Sequence, residues 1–335
     1  MKLAKAASIP AAVAGSSDPA IHVRDGLHRV ETKLAQLLNS NEALISEICH
    51  YLVDGGGKRL RPLFILLVFR ACGGIDDLLE DAVDAAIALE LIHSATLLHD
   101  DIIDTGMLRR GKPSAYARYG PSASLVAGDY LFCRAFELCG RFDERLVRTA
   151  AGACLQLTEG EVMEGRMRHH AAATLDDYLA VITRKTASLF GAGGRVAADL
   201  AGAGPATIDA MEQLGLALGR AFQMVDDVLD IVGPEEKIGK PVGSDLRAGV
   251  LSLPVVIGMR ETPELKGLFA NGAMQNDGDL RRALELVRRP AVLREAQALA
   301  AGQIAVARDL LSTVAPSPYR DGLRILIDDQ LARDS

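Results

Sequence analysis

Apolar residues recur at intervals of three and four positions along most of the chain, a spacing that predicts amphipathic helices. Residues 22–38 are the clearest example. Two longer runs, 78–104 and 207–232, are apolar around most of their circumference. Such runs are typical of helices buried at the centre of a fold. Runs of Val and Ile are few and do not alternate with polar residues, so the pattern predicts no β-sheet.

Glycine, proline and asparagine clusters divide the rest of the chain into further helices. The breaks fall at 39–41, 55–57 and 73–74, and longer loops are predicted over 233–250 and 270–278. The helices predicted between them span 42–53, 62–72, 122–140, 144–170, 175–188, 190–202 and 252–260, with two or three more in 279–330. The fold class predicted from this pattern is all-α.

The first 20 residues differ from the rest because they are rich in small residues and lack a helical pattern. They are predicted to be a disordered N-terminal extension, and residues 21–335 to be one all-α domain. Lys5, Ser8 and Pro10 interrupt any apolar segment, so a secretory signal is not expected. No run of 18 apolar residues occurs, so no membrane span is expected and a cytoplasmic location is predicted.

The composition narrows the possible functions. The formal net charge is −7, and no basic stripe stands out, so nucleic acid is not expected as a partner. The five cysteines form no CxxC pair, which predicts free thiols in a reducing compartment. The seven histidines show no zinc-ligand spacing.

Each of the two long apolar helices carries an Asp-Asp-x-x-Asp cluster near its C-terminal end. The clusters comprise Asp100, Asp101 and Asp104, and Asp226, Asp227 and Asp230. The first and last aspartates of each cluster share a helix face, where like charges destabilise the helix by a few tenths of a kcal/mol. Desolvation increases that penalty. Magnesium would remove it, because this hard dication binds carboxylate oxygens together with phosphate and water. Facing clusters would hold several magnesium ions around one diphosphate.

A glycine turn loaded with cations lies at 55–62, with the sequence GGGKRLRP. It is not a P-loop, because the GxxxxGK[ST] spacing is absent. Backbone amides and cations in such a turn can approach a phosphate closely, and Arg61 can bind one bidentately. A solvated basic turn is the alternative interpretation of this segment taken alone.

Six segments in the same order resemble the trans-isoprenyl diphosphate synthase (polyprenyl synthetase) family. The resemblance implies an isoprenoid synthase fold with helices around a central cavity, and a homodimer. It also implies a prenyltransferase that joins isopentenyl diphosphate head to tail to an allylic diphosphate, with magnesium as cofactor. The segments are GGGKRLRP (55–62), IHSATLLHDDIID (92–104), MLRRGKPS (107–114), RKTASLF (184–190), GRAFQMVDDVLDIVG (219–233) and GKPVGSD (239–245).

The resemblance also implies roles for individual residues. The implied isopentenyl diphosphate contacts are Lys58, Arg61, His93 and Arg110. The implied magnesium ligands are Asp100, Asp104 and Asp226, supported by Asp101, Asp227 and Asp230. The implied allylic diphosphate contacts are Arg109, Lys185, Thr186, Gln223 and Lys240. Of all these, the residues expected to act in catalysis are Asp100, Asp104, Asp226, Lys185 and Arg109.

Small residues before the first cluster favour a long product. Ala95 and Thr96 occupy the turn where short-chain members of the family place an aromatic residue, and no aromatic occurs from Ala82 to Leu98. The resemblance is greatest to octaprenyl-type synthases, which implies a long all-trans polyprenyl diphosphate and a transient membrane contact for its release. The product is expected to grow into an apolar tunnel that starts below the first aspartate cluster. A geranylgeranyl-length product remains the alternative, with Met163 or Met167 closing that tunnel.

The chain departs from the family pattern in one loop. Ala248 and Val250 occupy positions that in the family usually hold an acid and a lysine, so one cation near the allylic site is missing. Only Arg333 remains of a basic C-terminal tail. Two other functions stay open, a class I terpene cyclase and a non-catalytic subunit of a heteromeric synthase. Lys58, Arg61 and Arg110 argue against a cyclase, and the six retained aspartates argue against a non-catalytic subunit.

Overall fold

The predicted helical architecture is confirmed by a computed structural model, which describes residues 18–56, 59–233, 242–270 and 276–332. The disordered extension predicted over 1–20 is wrong at its last two residues, which begin the short 3-10 helix Pro19–Val23. Its residues 1–17 lie outside the described residues. The helices of the first half are α1 (Arg24–Leu37), α2 (Ala43–Val53), α3 (Leu60–Ala71), α4 (Leu79–Ile103), α5 (Ala115–Tyr119) and α6 (Pro121–Cys139).

The second half is equally helical. It contains α7 (Glu144–Met167), α8 (Leu175–Ile182), a π-helical turn (Thr183–Ala187), α9 (Ser188–Leu200) and α10 (Pro205–Val232). Beyond α10 the described chain forms the helices Ser244–Arg247, Leu253–Glu261, Pro263–Ala270, Asp277–Val287, Pro290–Leu311 and Pro318–Ala332.

Local sequence signals set several helix ends. Asp143 caps α7 by accepting a hydrogen bond from the Leu146 amide at 3.0 Å. Thr174 and Asp177 form a reciprocal capping box at the start of α8. Prolines stand in the first turns of α6 and α10, where the missing amide hydrogen costs no helical bond.

The two long apolar helices are central, as predicted. The helix α4 packs along α6 and also contacts α3 and α9, and these helices share the largest hydrophobic core. The C-terminal half of α10 belongs to a second core, together with Leu253–Glu261, Asp277–Val287 and Pro290–Leu311. The segment Asp76–Ile103 is long and apolar enough to cross a membrane, but 83% of its most apolar window is buried in the fold.

The structure contains short elements that were not predicted: the helices Ala115–Tyr119, Ser244–Arg247 and Pro263–Ala270, and a small hairpin. Leu108–Arg109 (β1) pairs antiparallel with Lys112–Pro113 (β2), the one sheet in the described part of the chain, whereas no sheet was predicted. Arg110 and Gly111 at its tip both have positive φ, 52° and 73°. Two positive φ angles match the twist of a two-residue hairpin, and a glycine at the second position makes that turn possible. The strands are too short to show alternation.

Candidate active site

The two aspartate clusters lie at the C-terminal end of α4 and in the last turns of α10. Each cluster contains both buried and accessible carboxylates. Asp101, Asp227 and Asp230 are 4%, 4% and 1% exposed, and all three accept hydrogen bonds from other protein groups. Asp100 and Asp226 are half-buried, and Asp104 is exposed. Each cluster therefore combines carboxylates that tie the local structure together with carboxylates that face the site.

Asp101 is held by the hairpin. The Arg109 guanidinium donates to both its oxygens, through Nε at 2.9 and 3.0 Å and through Nη2 at 2.8 Å. A bidentate pair of this kind fixes the orientation of both partners. The first aspartate cluster and the β1–β2 turn are therefore coupled, and Arg109 has its position set by a cluster residue.

Asp227 joins three elements. It accepts hydrogen bonds from the Tyr178 hydroxyl of α8 at 2.8 Å, the Gln223 amide at 2.9 Å and the Leu253 backbone amide at 2.9 Å. Burial raises the pKa of Asp227 to about 7, although these donors favour the carboxylate. Asp230 accepts from the Ser244 hydroxyl at 3.0 Å. These contacts fix the C-terminal part of α10 against the chain that follows it.

Four carboxylates, those of Asp100, Asp104, Glu161 and Glu164, lie together beside the end of α4, and this region is called the mouth of the site. It carries an excess of negative charge. Asp100 and Asp104 interact electrostatically with Glu161 and Glu164 of α7, and Lys185 lies among them. Burial raises the pKa of Asp100 to about 7, with further contributions from neighbouring carboxylates. Lys185 and Arg168 are the cations paired with this group. The carboxylates outnumber these cations by two, so a cationic ligand is favoured here.

Lys185 is carried by the π-helical turn between α8 and α9. Its Nζ lies 2.6 Å from Glu161 and 2.6 Å from Glu164. Burial disfavours its charge, but these carboxylates and Asp100 outweigh that effect and raise the pKa of Lys185. A π-helical turn inside a helix commonly marks a functional site, and here it presents a permanently charged lysine.

Close packing of α7 makes that position possible. A Cβ on Gly160 would lie 2.5 Å from the Lys185 backbone nitrogen, so only glycine permits this approach. On the other side of the turn, the Thr186 hydroxyl donates to the Gln223 side chain at 2.9 Å. The predicted allylic contacts Lys185, Thr186 and Gln223 are therefore brought together, and Gln223 links them to Asp227.

The described isopentenyl diphosphate contacts predicted from the sequence, Arg61, His93 and Arg110, form a cationic region. Burial lowers the pKa of His93 well below its usual value, and the nearby charges of Arg61, Arg109, Arg110 and Arg59 lower it further. His93 is therefore neutral and surrounded by arginines. Lys58 and Lys240 lie outside the described residues.

Arg61 is one of the cations of this region. It is buried, its guanidinium stacks on the Phe190 ring at 4.7 Å, and its Nε has no hydrogen-bond partner. Burial lowers its pKa, while the charges of Glu90 and Asp226 act in the opposite direction. A buried polar atom without a hydrogen-bond partner is costly, and a diphosphate oxygen would be a suitable acceptor for this Nε.

Several residues with roles at the site were not predicted from the sequence. Arg59, in a left-handed conformation at the start of α3, donates to Glu31 at 2.6 Å and to buried Glu90 at 3.4 Å, which anchors the cationic loop. Glu161 and Glu164 hold Lys185. Glu90 in the apolar run of α4, and the i,i+3 spacing of Glu161 and Glu164, were the available sequence signals.

The small-residue face of α4, which was predicted to line a product tunnel, is buried along its length. Ala95 and Ala88 are enclosed, and Thr96 satisfies its hydroxyl by donating to the His93 carbonyl at 2.8 Å. At the far end, Ala85 packs with Leu146 and Val196. Among the described residues, a separate groove of about 690 Å³ lies between α7, α9 and α10 and contacts none of the predicted site residues.

The residues present fit a divalent metal shared with a substrate. In the described part of the chain, no group of three or more His, Cys, Asp or Glu side chains is arranged to hold a metal ion alone. Magnesium, however, commonly takes one or two carboxylates and completes its shell with phosphate and water. Asp100 and Asp104, with their excess negative charge, suit that role.

Comparison with known proteins gives consistent matches over most of the chain. A family model described as polyprenyl synthetase matches residues 42–287. The chain is 36% identical to nonaprenyl diphosphate synthase of Mycobacterium tuberculosis, over 93% of each chain. It is 34% identical to octaprenyl diphosphate synthase of Escherichia coli, over 91% of this chain and 95% of that protein. A short chain isoprenyl diphosphate synthase of Methanothermobacter thermautotrophicus is also 34% identical, over 85% of this chain and 89% of that protein.

The fold matches solved structures as well. A polyprenyl synthase from Caulobacter crescentus, solved with calcium and isoprenyl diphosphate, superposes with a TM-score of 0.89 at 34% sequence identity. The match covers 97% of this chain and 100% of that one.

Proposed function

Because the chain belongs to the polyprenyl synthetase family, we propose that it joins isopentenyl diphosphate head to tail to an allylic diphosphate and releases diphosphate. It is a prenyltransferase with the all-α isoprenoid synthase fold. The observation that carries the proposal is the pairing of two charge regions around the end of α4. A carboxylate mouth holds Lys185, and a pocket of arginines surrounds neutral His93.

The two regions suit the two substrates. Lys185, Thr186 and Gln223 bind the allylic diphosphate beside Asp100 and Asp104. Arg61 and Arg110, close to His93, bind isopentenyl diphosphate. Neutral His93 donates a hydrogen bond without adding to the positive charge. Two separately bound diphosphates place the allylic carbon and the double bond in one cavity, which gives the advantage of proximity.

Asp100, Asp104 and Asp226 would hold magnesium against the allylic diphosphate. Bound magnesium supplies charge neutralisation of the leaving diphosphate. The protein stabilises the same charge with Lys185 and Arg109, and the apolar face of α4 excludes water from the allylic cation. The departing diphosphate takes the proton lost after the new carbon–carbon bond forms.

The product is proposed to be a long all-trans chain. The support is the small, buried face of α4 at Ala95, Thr96 and Ala88, together with the similarity to nonaprenyl and octaprenyl synthases. The alternative, a geranylgeranyl-length product, is supported by the similarity to a short chain isoprenyl diphosphate synthase. Met167 packs against the second hydrophobic core, which leaves Met163 as the residue of that pair to close the tunnel.

A second copy of the chain is the proposed partner. Leu125, Val126 and Phe136 of α6 and Leu155 and Val162 of α7 are large apolar side chains exposed on neighbouring helices. An exposed apolar face of this kind typically marks an interface. Light scattering coupled to gel filtration should give twice the chain mass, and Leu155→Lys should shift it toward the monomer.

The function is tested by measuring diphosphate release from the purified protein. Release should require both substrates and magnesium, and Asp100→Ala and Asp226→Ala should each reduce turnover by about a thousandfold. Release from the allylic diphosphate alone would indicate a cyclase. No release with any starter would indicate a non-catalytic subunit.

A further inference from the structure

A cation that the sequence did not single out contacts the first aspartate cluster. Arg168 directly follows the last residue of α7, and its guanidinium donates to the Asp104 carboxylate at the end of α4. The Arg168 and Asp104 side chains are 27% and 42% exposed. The pair therefore spans the mouth of the site, with access to solvent and to ligands.

Arg168 is the more readily released of the two cations at this mouth. Lys185 lies 2.6 Å from each of two carboxylates that are themselves largely buried. Among the described residues, Arg168 has one carboxylate partner, and that partner is exposed. Exposed ion pairs contribute little to stability, so Arg168 can exchange Asp104 for another anion at a small cost in free energy.

Arg168 also lies next to the loop at 248–250. The His169 amide donates to the Gly249 carbonyl at 3.0 Å, so Arg168 and Val250 flank one backbone contact. Ala248 and Val250 are uncharged, and the Arg247 guanidinium pairs with Asp277 at 2.8 Å. Arg168 therefore supplies a positive charge next to a loop position that lacks one.

We propose that Arg168 binds the allylic diphosphate, exchanging Asp104 for a phosphate oxygen when substrate and metal occupy the mouth. The inference rests on the proposed prenyltransferase function. Asp104 is one of the carboxylates suited to a divalent metal, and a metal on Asp104 leaves the guanidinium without its anion. A guanidinium fork then matches phosphate oxygens bidentately. Arg168 thereby takes the role of the cation missing at Val250.

The test is steady-state kinetics of Arg168→Ala, with farnesyl diphosphate and isopentenyl diphosphate varied separately. The KM for farnesyl diphosphate should rise about tenfold, as expected for one charge-assisted hydrogen bond, while that for isopentenyl diphosphate stays within twofold. Arg166→Ala, two residues away on an exposed surface, is the matched control and should change neither KM. Calorimetry should show the same weakening for farnesyl thiodiphosphate, which binds without turnover.

Restoring the charge from the neighbouring position gives the sharper result. In the Arg168→Ala background, Val250→Lys should recover most of the lost farnesyl affinity, because both positions serve one phosphate. The inference is overturned if Arg168→Ala leaves both KM values unchanged, or if it only lowers the magnesium concentration needed for half-maximal activity. That second result would mean that Arg168 only competes with magnesium for the Asp104 carboxylate and does not bind the diphosphate. Wild-type activity with both substrates tests the proposed function separately.

Discussion

The approach of α7 to the π-helical turn gives a sharp prediction, because two glycines of one helix differ in what surrounds them. A Cβ on Gly160 would lie 2.5 Å from the Lys185 nitrogen, 2.9 Å from its Cα and 3.0 Å from the Arg184 carbonyl carbon. Gly165 has no atom within 4 Å of the same position. Alanine at either site makes the helix itself more favourable by about 1 kcal/mol.

The two substitutions should therefore have opposite effects on stability. The atoms facing Gly160 are backbone, which cannot rotate away, so α7 and the turn must separate by about 1 Å to restore ordinary contact. Overpacking of this kind costs about 1 to 3 kcal/mol. We expect Gly160→Ala to lower the free energy of unfolding by about 1 kcal/mol net, and Gly165→Ala to raise it by about 0.5 kcal/mol.

The two variants should also differ in turnover, with Gly160→Ala the slower enzyme. A displacement of about 1 Å at Lys185 changes the placement of the allylic diphosphate, and misplacements of this size cost about a hundredfold in rate. Urea unfolding and diphosphate release, measured on the same preparations, provide both readouts. If Gly160→Ala matched Gly165→Ala in stability and turnover, the close approach would not position Lys185.

Three further predictions concern pH, substrate selectivity and product length. Burial and the nearby arginines lower the pKa of His93, so at low pH the unfolded chain binds a proton there that the folded chain does not. Stability is therefore lost as pH falls below about 6.5. His93→Gln should reduce that loss by at most about 1.4 kcal/mol per pH unit, as measured by urea titrations from pH 7 to 5. Arg61→Ala should chiefly raise the KM for isopentenyl diphosphate and Lys185→Ala chiefly that for the allylic substrate, and equal effects on both would contradict two separate pockets. Ala95→Phe should shorten the product by several isoprene units while retaining activity, as judged by chromatography of extracted products, and an unchanged product distribution would place the tunnel elsewhere.

The long helices could be predicted from the sequence because their signals are local and repeated. The runs 78–104 and 207–232 match Leu79–Ile103 and Pro205–Val232 closely. Prolines, glycines and capping residues mark most boundaries. The family resemblance is confirmed by the family model and by relatives that cover most of the chain.

The short elements could not be predicted in the same way. The hairpin Leu108–Pro113 has two residues per strand, too few for a period, and depends on positive φ at Arg110 and Gly111. The π-helical turn Thr183–Ala187 has the sequence TRKTA, which is too short and too polar to show a period of its own. The turn packs closely against Gly160 of α7, a contact between residues that are distant in sequence.

The sequence also could not predict which aspartates of each cluster are paired with other protein groups, because this depends on the three-dimensional structure. The i,i+4 spacing places Asp100 with Asp104, but does not reveal that Asp101 is paired with Arg109 or that Asp227 accepts from Tyr178. Those partners lie 8 and 49 residues away in the sequence. Arg168 and Glu90 were missed for the same reason, because their partners are distant in sequence.

Chain elongation is tested most directly by sizing the products made from labelled isopentenyl diphosphate and farnesyl diphosphate in magnesium buffer. The account predicts labelled all-trans polyprenyl diphosphates of about seven to ten isoprene units, with one diphosphate released for each unit added. Product that stops at geranylgeranyl length would contradict the assignment of an open tunnel along Ala95, Thr96 and Ala88. Absence of any labelled polyprenyl product, with every allylic starter, would contradict the prenyltransferase assignment itself.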